Sequence, residues 1–168
     1  MSNQEFVITH TFNAPREFVW KAWTVPAMLA QWFGPKGTKC DVIKHELRPG
    51  GVFHSRLPSP DGTVMWGKFV YREVDAPNTL VWIHSFSDAG GINLTRHPLN
   101  AHWPLELLTT VRFEDQGKQT KLTLTWVPIN ATEEERKTFE AAIPGMNQGW
   151  GGSFEQLDEY LSAAAKAA

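Results

Sequence analysis

The sequence predicts an α+β domain in which an antiparallel sheet curves around one long helix near the C-terminus. Residues 146–165 carry apolar side chains at steps of three and four, which places those side chains within one narrow sector of a helix. Residues 38–126 lack this period and show apolar runs separated by turn residues, as in an antiparallel meander. An amphipathic helix with bulky aromatic residues must pack on an apolar surface, so we expect the long helix to close over the sheet.

The apolar stripe of the long helix has small residues beside it toward its N-terminal end. Its members recur along one side of the helix: Met146, Trp150, Phe154, Leu157, Leu161 and Ala164. Gly149 and Ser153 lie beside the first two of them, where a helix lying flat on a sheet would ordinarily carry large apolar residues. We therefore predict a pocket between the sheet and the N-terminal half of the helix.

One strand and two short helices precede the meander. Residues 5–12 are rich in aromatic and β-branched side chains that alternate along the chain, which predicts a strand. Asn13 as N-cap and Pro15 in the first turn predict a short helix after this strand, and Pro26 begins a second helix. The breaker residues 34–37 should end the second helix, so we expect the two helices to form a bent pair.

The meander is predicted to contain six strands separated by turn residues. Their approximate bounds are 41–47, 52–57, 64–74, 80–86, 107–113 and 122–126. Residues 87–104 interrupt the pattern with a long connection, and connections of this length are usually functional or mobile.

A further short helix is predicted between the meander and the long helix. Thr132 followed by the glutamates at 133–135 has the form of an N-cap with an acidic first turn, as in a capping box. This helix should reach about Ile143, and Pro144 with Gly145 should break or kink the chain before the long helix begins.

Length, charge and cysteine content restrict the class of protein and of partner. The 168 residues suit a single domain, 1–168, and a formal net charge of -2 with scattered Lys and Arg offers no basic footprint for nucleic acid or an anionic membrane. The single Cys40 excludes an internal disulfide and a Cys-rich zinc site, and it suits a reducing compartment. No apolar stretch reaches membrane-spanning length and residues 1–10 lack the features of a signal peptide, so we expect a cytoplasmic protein.

Several motifs, taken in order, are similar to those of one known family. They are NAPR at 13–16, VWKAWT at 19–24, QWFGP at 31–35, RPGG at 48–51, the turn at 61–62, Gly67, residues 120–125, and Gly149-Trp150 before Leu157 and Leu161. With these motifs the chain resembles, over nearly its whole length, the family of heat-shock-chaperone ATPase activator homologues. This family belongs to the START-like, or SRPBCC, superfamily. The resemblance implies a helix-grip, Bet v 1-like fold, in which the sheet wraps the C-terminal helix and encloses a deep hydrophobic cavity.

The resemblance supports three functional hypotheses, ranked here in order. Relatives with this fold bind lipids, hormones, polyketides or antibiotics, and a few catalyse cyclisation or hydrolysis. The first hypothesis is a protein that binds a small hydrophobic or aromatic molecule. The second is a polyketide-cyclase or hydrolase type of enzyme that uses an inward acid or base such as His54, His84 or His102. The third is an interaction module that regulates a chaperone ATPase through an exposed patch. We expect no cofactor, and formation of a homodimer stays open.

Polar and aromatic residues on the strands and on the long helix are candidates for the cavity lining. His54 and His84 each lie in the middle of a predicted strand, and alternation alone leaves open which of their faces points inward. Arg56 shares a face with His54, and within a cavity it would favour an acidic or phenolic ligand. The full set of candidates is His54, Arg56, Trp66, Phe69, Trp82, His84, Trp103, Met146, Gly149, Trp150, Ser153 and Phe154.

Metal and covalent chemistry have no supporting pattern in the sequence. His97 and His102 lie in the long connection without further ligands nearby in sequence, and no H-E-x-x-H pattern occurs. Cys40 has no neighbouring base in sequence, and the acidic residues 133–135 are explained by the start of a helix. We therefore assign no metal ligand and no catalytic residue.

Overall fold

The computed structural model describes residues 5–34, 39–97 and 100–167. In chain order the elements are β1 (Phe6–Phe12), α1 (Arg16–Thr24), α2 (Pro26–Trp32), β2 (Asp41–His45), β3 (Val52–Pro58), β4 (Val64–Asp75), β5 (Thr79–Ser87), β6 (Leu94–Thr95), β7 (Glu106–Gln116), β8 (Gln119–Ile129), α3 (Glu133–Ala141) and α4 (Ile143–Ala167). They form an α+β fold with a curved antiparallel sheet, two short helices near the start and one long helix at the end. The predicted helix-grip architecture is confirmed.

The sheet has the order β1-β8-β7-β5-β4-β3-β2, with β6 paired to β5 outside this path. The strands β2 to β5 pair in succession, and β7 pairs with β8. β1 completes the sheet beside β8, where Phe6 lies opposite Trp126. Because side chains alternate between the two faces of a strand, every second residue points toward the face that carries α4.

α4 packs on the inner face of the sheet through aromatic and aliphatic contacts. The ring of Trp150 lies 5.5 Å from the ring of Trp126 on β8. The ring of Phe154 lies 5.4 Å from the ring of Phe12 on β1. Farther along the helix Leu157 is fully buried and so contributes the stabilisation expected of an apolar side chain removed from water, about 1.5–3 kcal/mol.

The two early helices place three tryptophans in the core. Trp20 of α1 lies 5.2 Å from Phe113 of β7, ring to ring, and Trp23 lies 4.7 Å from Trp32 of α2. All three tryptophans are buried. Trp32 Nε1 donates a hydrogen bond to the carbonyl of Ala22 at 2.9 Å, which ties the bent pair of helices together.

The structure corrects three local expectations. Pro15, not Asn13, is the N-cap residue of α1, because its extended backbone directs its carbonyl to the N–H groups of the first turn. The connection 87–104 contains the short strand β6, which the sequence reading missed. The interruption before α4 falls at Ala142, and Pro144 lies in the first turn of α4, where proline is tolerated. Of the predicted breaker residues 34–37, those at 35–37 lie outside the described residues.

The capping box predicted at the start of α3 is confirmed. Thr132 accepts a hydrogen bond from the N–H of Glu135, and the Glu135 carboxylate accepts one from the N–H of Thr132. No helix in the described part of the chain has both the length and the apolar character that crossing a bilayer requires.

Candidate functional site

A cavity lies between the sheet and the N-terminal half of α4, and it has two adjoining compartments. The first compartment has a volume of about 230 Å³. α4 contributes Met146, Gly149, Trp150 and Ser153 to its lining, and the remaining lining residues come from the sheet and the connections: Phe33, Gly34, Leu57, Met65, His84, Phe86, His97 and Trp126. The pocket predicted from the small residues beside the helix stripe is therefore present.

The second compartment lies beside the first, toward the start of β7 and the start of α4, and has a volume of about 300 Å³. Trp103, Pro104, Leu105 and Leu107 line it on one side. The residues common to both compartments are His84, Phe86, His97, Trp126 and Met146. These five side chains therefore border both spaces and are called the junction below.

His84 is the central polar group of the cavity. Its ring lies 5.1 Å from the ring of Phe69 and 5.3 Å from that of Trp126. Its Nδ1 atom is buried and has no hydrogen-bond partner among the described residues. Burial in these apolar surroundings lowers the pKa of His84 to about 4, so the imidazole is uncharged at neutral pH.

Gly149 and Ser153 keep the helix side of the cavity open. A Cβ atom added to Gly149 would meet no atom within 4 Å. The hydroxyl of Ser153 donates a hydrogen bond to the carbonyl of Gly34 at 2.9 Å, and Gln156 Nε2 donates to the same carbonyl at 3.2 Å. These bonds hold α4 to the chain that follows α2, at the edge of the first compartment.

Residues on the connection 87–104 cover the second compartment and are held to the start of α3. Arg96 forms an ion pair with the buried carboxylate of Glu135 and donates a hydrogen bond to the carbonyl of Trp103. Burial raises the pKa of Glu135, but hydrogen bonds from Thr132 and Arg96 outweigh this effect and hold the pKa below its usual range. The carboxylate therefore joins the capping box to the connection that carries His97 and Trp103.

Nine of the twelve candidate residues lie in or against the cavity. His84, Met146, Gly149, Trp150 and Ser153 line the first compartment, and Trp103 lines the second. Three others form the adjoining aromatic core: Phe69, Trp82 and Phe154. Phe69 stacks on Trp82 with ring centroids 4.5 Å apart, and both rings are buried behind His84.

His54, Arg56 and Trp66 do not reach the cavity, which corrects their candidacy. On β3 the alternate residues Phe53 and Leu57 belong to the core, so the side chains of His54 and Arg56 lie on the outer face of the sheet. Trp66 is opposite Arg56 in the register and stacks against His54, with ring centroids 5.4 Å apart. Arg56 pairs with Asp41 at 3.1 Å and cannot neutralise an acidic ligand inside the cavity.

Sequence reasoning missed several residues of the lining. Phe86 follows His84 by two positions on β5, so alternation would have placed it on the same face once the face of His84 was known. Trp126 on β8 is half-buried and lines both compartments, although it is absent from the candidates drawn from the sequence. Leu57 and Met65 face each other across β3 and β4, and only the register of these strands reveals their position.

Comparisons with solved structures agree with this architecture. A protein from Arthrobacter aurescens is 28% identical with a TM-score of 0.78, and the match covers 95% of this chain and 86% of that one. Protein Ms6760 from Mycobacterium smegmatis is 24% identical with a TM-score of 0.76, covering 94% of this chain and 90% of that one. DynU16, from the dynemicin biosynthetic locus, shares the fold at 18% identity and a TM-score of 0.65, over 95% of this chain and 48% of that one.

Sequence comparisons identify the family. No protein of curated function matches the chain. The model of one family matches residues 13–162, which include every residue that lines the cavity. The chain therefore belongs to the family described as Activator of Hsp90 ATPase homolog 1-like protein.

Proposed function

We propose that this protein binds a small hydrophobic or aromatic molecule in the cavity between the curved sheet and α4. The observation that carries the proposal is the mostly apolar cavity under the N-terminal half of α4, where the exposed Gly149 leaves open space at the rim. Ligand pockets are typically lined by apolar and aromatic side chains with a few polar groups that fix orientation. His84 and Ser153 are such polar groups in an otherwise mostly apolar lining.

An enzyme of the cyclase or hydrolase type in the same cavity is the second candidate. It is favoured by the position of His84, which lines both compartments and is unprotonated at neutral pH. A pKa of about 4 makes this imidazole a weak general base, since catalytic bases work best with a pKa near the operating pH. His102 is exposed and lies 3.6 Å from Glu134 outside the cavity, so it does not assist His84. These properties support binding ahead of catalysis.

A role as an interaction module ranks third. Among the residues that the structure describes, the most exposed large apolar side chains lie in three separate parts of the chain: Val7 on β1, Ile43 on β2 and Ile92 in the connection after β5. A docking surface for a folded partner would need a contiguous exposed apolar patch.

A fluorescence titration with N-phenylnaphthylamine tests the binding proposal. The dye brightens in apolar surroundings, and Trp126 and Trp150 are close enough to the cavity for their emission to be quenched. We expect micromolar binding, because mostly apolar pockets commonly give about -8 kcal/mol. A raised midpoint of thermal unfolding should accompany it.

A matched pair of variants controls for binding elsewhere. Gly149 and Gly151 both lie in α4 with open space at the Cβ position, but only Gly149 lines the cavity. Gly149→Leu should weaken binding of the dye at least about tenfold, and Gly151→Leu should leave it unchanged. The proposal fails if a broad set of lipids and aromatic molecules, this dye included, produces neither quenching nor a thermal shift.

A further inference from the structure

The lining of the cavity is uncharged. Among the described residues that line the two compartments there is no Lys, Arg, Asp or Glu. The two titratable groups are His84 and His97, and burial lowers the pKa of both below the ordinary value for histidine. Both rings are therefore neutral at pH 7. Because burying a charge without a partner is costly, this lining favours uncharged ligands over anions.

The shape of the cavity favours a ligand with two parts. A protein cavity of roughly 150 Å³ is large enough for benzene. The first compartment, about 230 Å³, and the second, about 300 Å³, each have room for a ring system. Since the compartments share the side chains of His84, Phe86 and Trp126, a ligand that fills both must pass this junction.

The junction contains unused hydrogen-bonding groups. Nδ1 of His84 and Nε1 of Trp126 are buried without a partner among the described residues, and their rings are 5.3 Å apart. A buried polar group without a partner costs about 1–3 kcal/mol. A neutral imidazole can both donate and accept a hydrogen bond, so a ligand of either kind can use it.

We infer that this cavity takes an uncharged ligand in which two ring systems are joined through a hydrogen-bonding group, and that His84 binds this group. The ring systems occupy the two compartments, and the joining group lies against the imidazole at the junction. The inference rests on the proposed function and specifies its ligand class.

Three probes with a common scaffold test this inference. N-phenylnaphthylamine joins a naphthalene and a phenyl ring through N–H and is uncharged. Anilinonaphthalene sulfonate has the same scaffold with an added anionic group, and benzylnaphthalene replaces the N–H by a methylene. Affinities are measured on the unchanged protein by fluorescence titration, with benzylnaphthalene measured by displacement of N-phenylnaphthylamine.

The expected order of affinity is set by charge and by the joining group. The amine should bind at least about tenfold more tightly than the sulfonate, because the lining has no cation to pair with the anion. The amine should also bind at least about fivefold more tightly than benzylnaphthalene. In His84→Phe, which keeps an aromatic ring at this position, the preference for the amine over the methylene should disappear.

Each outcome separates the inference from the proposed function. If the neutral probes bind and the sulfonate binds as tightly as the amine, the uncharged-ligand inference is wrong and the binding proposal stands. If the amine and benzylnaphthalene bind equally to the unchanged protein, or if His84→Phe weakens both alike, His84 does not bind the joining group. Failure of all three probes to bind overturns the inference, and the proposed function fails with it only if the broad set of lipids and aromatic molecules also produces no response.

Discussion

At the scale of single residues, Gly149 is the position where the predicted space can be tested by filling it. It lies in helical backbone, has no atom within 4 Å of an added Cβ and lines the first compartment. Glycine inside a helix is less favourable than alanine by about 1 kcal/mol, so Gly149 makes α4 less stable than an alanine at the same position would. Because Gly149 is also exposed, a larger side chain at this position has room at the rim of the first compartment.

Gly149→Ala and Gly149→Leu should each raise the free energy of unfolding, by roughly 0.5–1 kcal/mol, because both residues favour the helix and both have room. Chemical denaturation checks this, with Gly151→Leu as the control in the same helix. If the leucine variant at 149 lost about 1–3 kcal/mol while the alanine variant did not, the helix would pack flush on the sheet and the space would be absent.

His84 should make stability depend on pH. Its folded-state pKa of about 4 lies below the ordinary value of 6.5, so the unfolded chain binds more protons between these values. The contribution of the neutral imidazole to the free energy of unfolding is therefore complete above pH 6.5, and it is lost as the pH falls toward 4. From pH 7 to pH 5 the parent should lose about 2 kcal/mol of unfolding free energy relative to His84→Phe. The unfolding free energy of each protein is measured by urea unfolding at each pH. If it changed with pH in the same way for the parent and for His84→Phe, a buried neutral His84 would be contradicted.

At the scale of elements, the start of α3 combines local and long-range support. Thr132 and Glu135 close the capping box, and the same Glu135 carboxylate pairs with Arg96 from the connection that covers the second compartment. The helix start thus holds the connection against the cavity.

Thr132→Ala should reduce the free energy of unfolding by about 1 kcal/mol, because the N–H of Glu135 loses its acceptor. Thr138→Ala is the matched control, since the half-buried Thr138 lies inside the same helix and its hydroxyl donates a hydrogen bond to the Glu134 carbonyl one turn earlier. There alanine should be neutral or slightly stabilising. Equal losses in the two variants, measured by thermal or urea unfolding, would show that the cap has no special role.

The sequence predicts the bounds of the strands better than it predicts which face of each strand points inward. The sheet strands were placed within a few residues because turn residues separate the apolar runs. The face of β3 could not be predicted, because His54 on the outer side is also buried, beneath Gly91 and beside Trp66. When both faces of a strand are covered, alternation loses its polar signal. β6 has two residues, too few for any period.

At the scale of the whole molecule, α4 meets the sheet differently at its two ends. Near the C-terminal end Leu157 and Leu161 are buried against the sheet, and Asp158 accepts a hydrogen bond from the ring of His10 on β1 at 2.8 Å. Near the N-terminal end the helix carries Gly145 and Gly149 above the two compartments. One end thus fixes the helix, and the other leaves a space of ligand size.

The most direct test of this account is an NMR titration that follows the indole N–H signals of the eight tryptophans as N-phenylnaphthylamine is added. Trp103, Trp126 and Trp150 line the cavity, so their signals should shift with the ligand concentration. Trp66 on the outer face and Trp20 against Phe113 should keep their positions. Shifts at Trp66 or Trp20 with none at Trp126 and Trp150 would contradict a ligand cavity beneath the N-terminal half of α4.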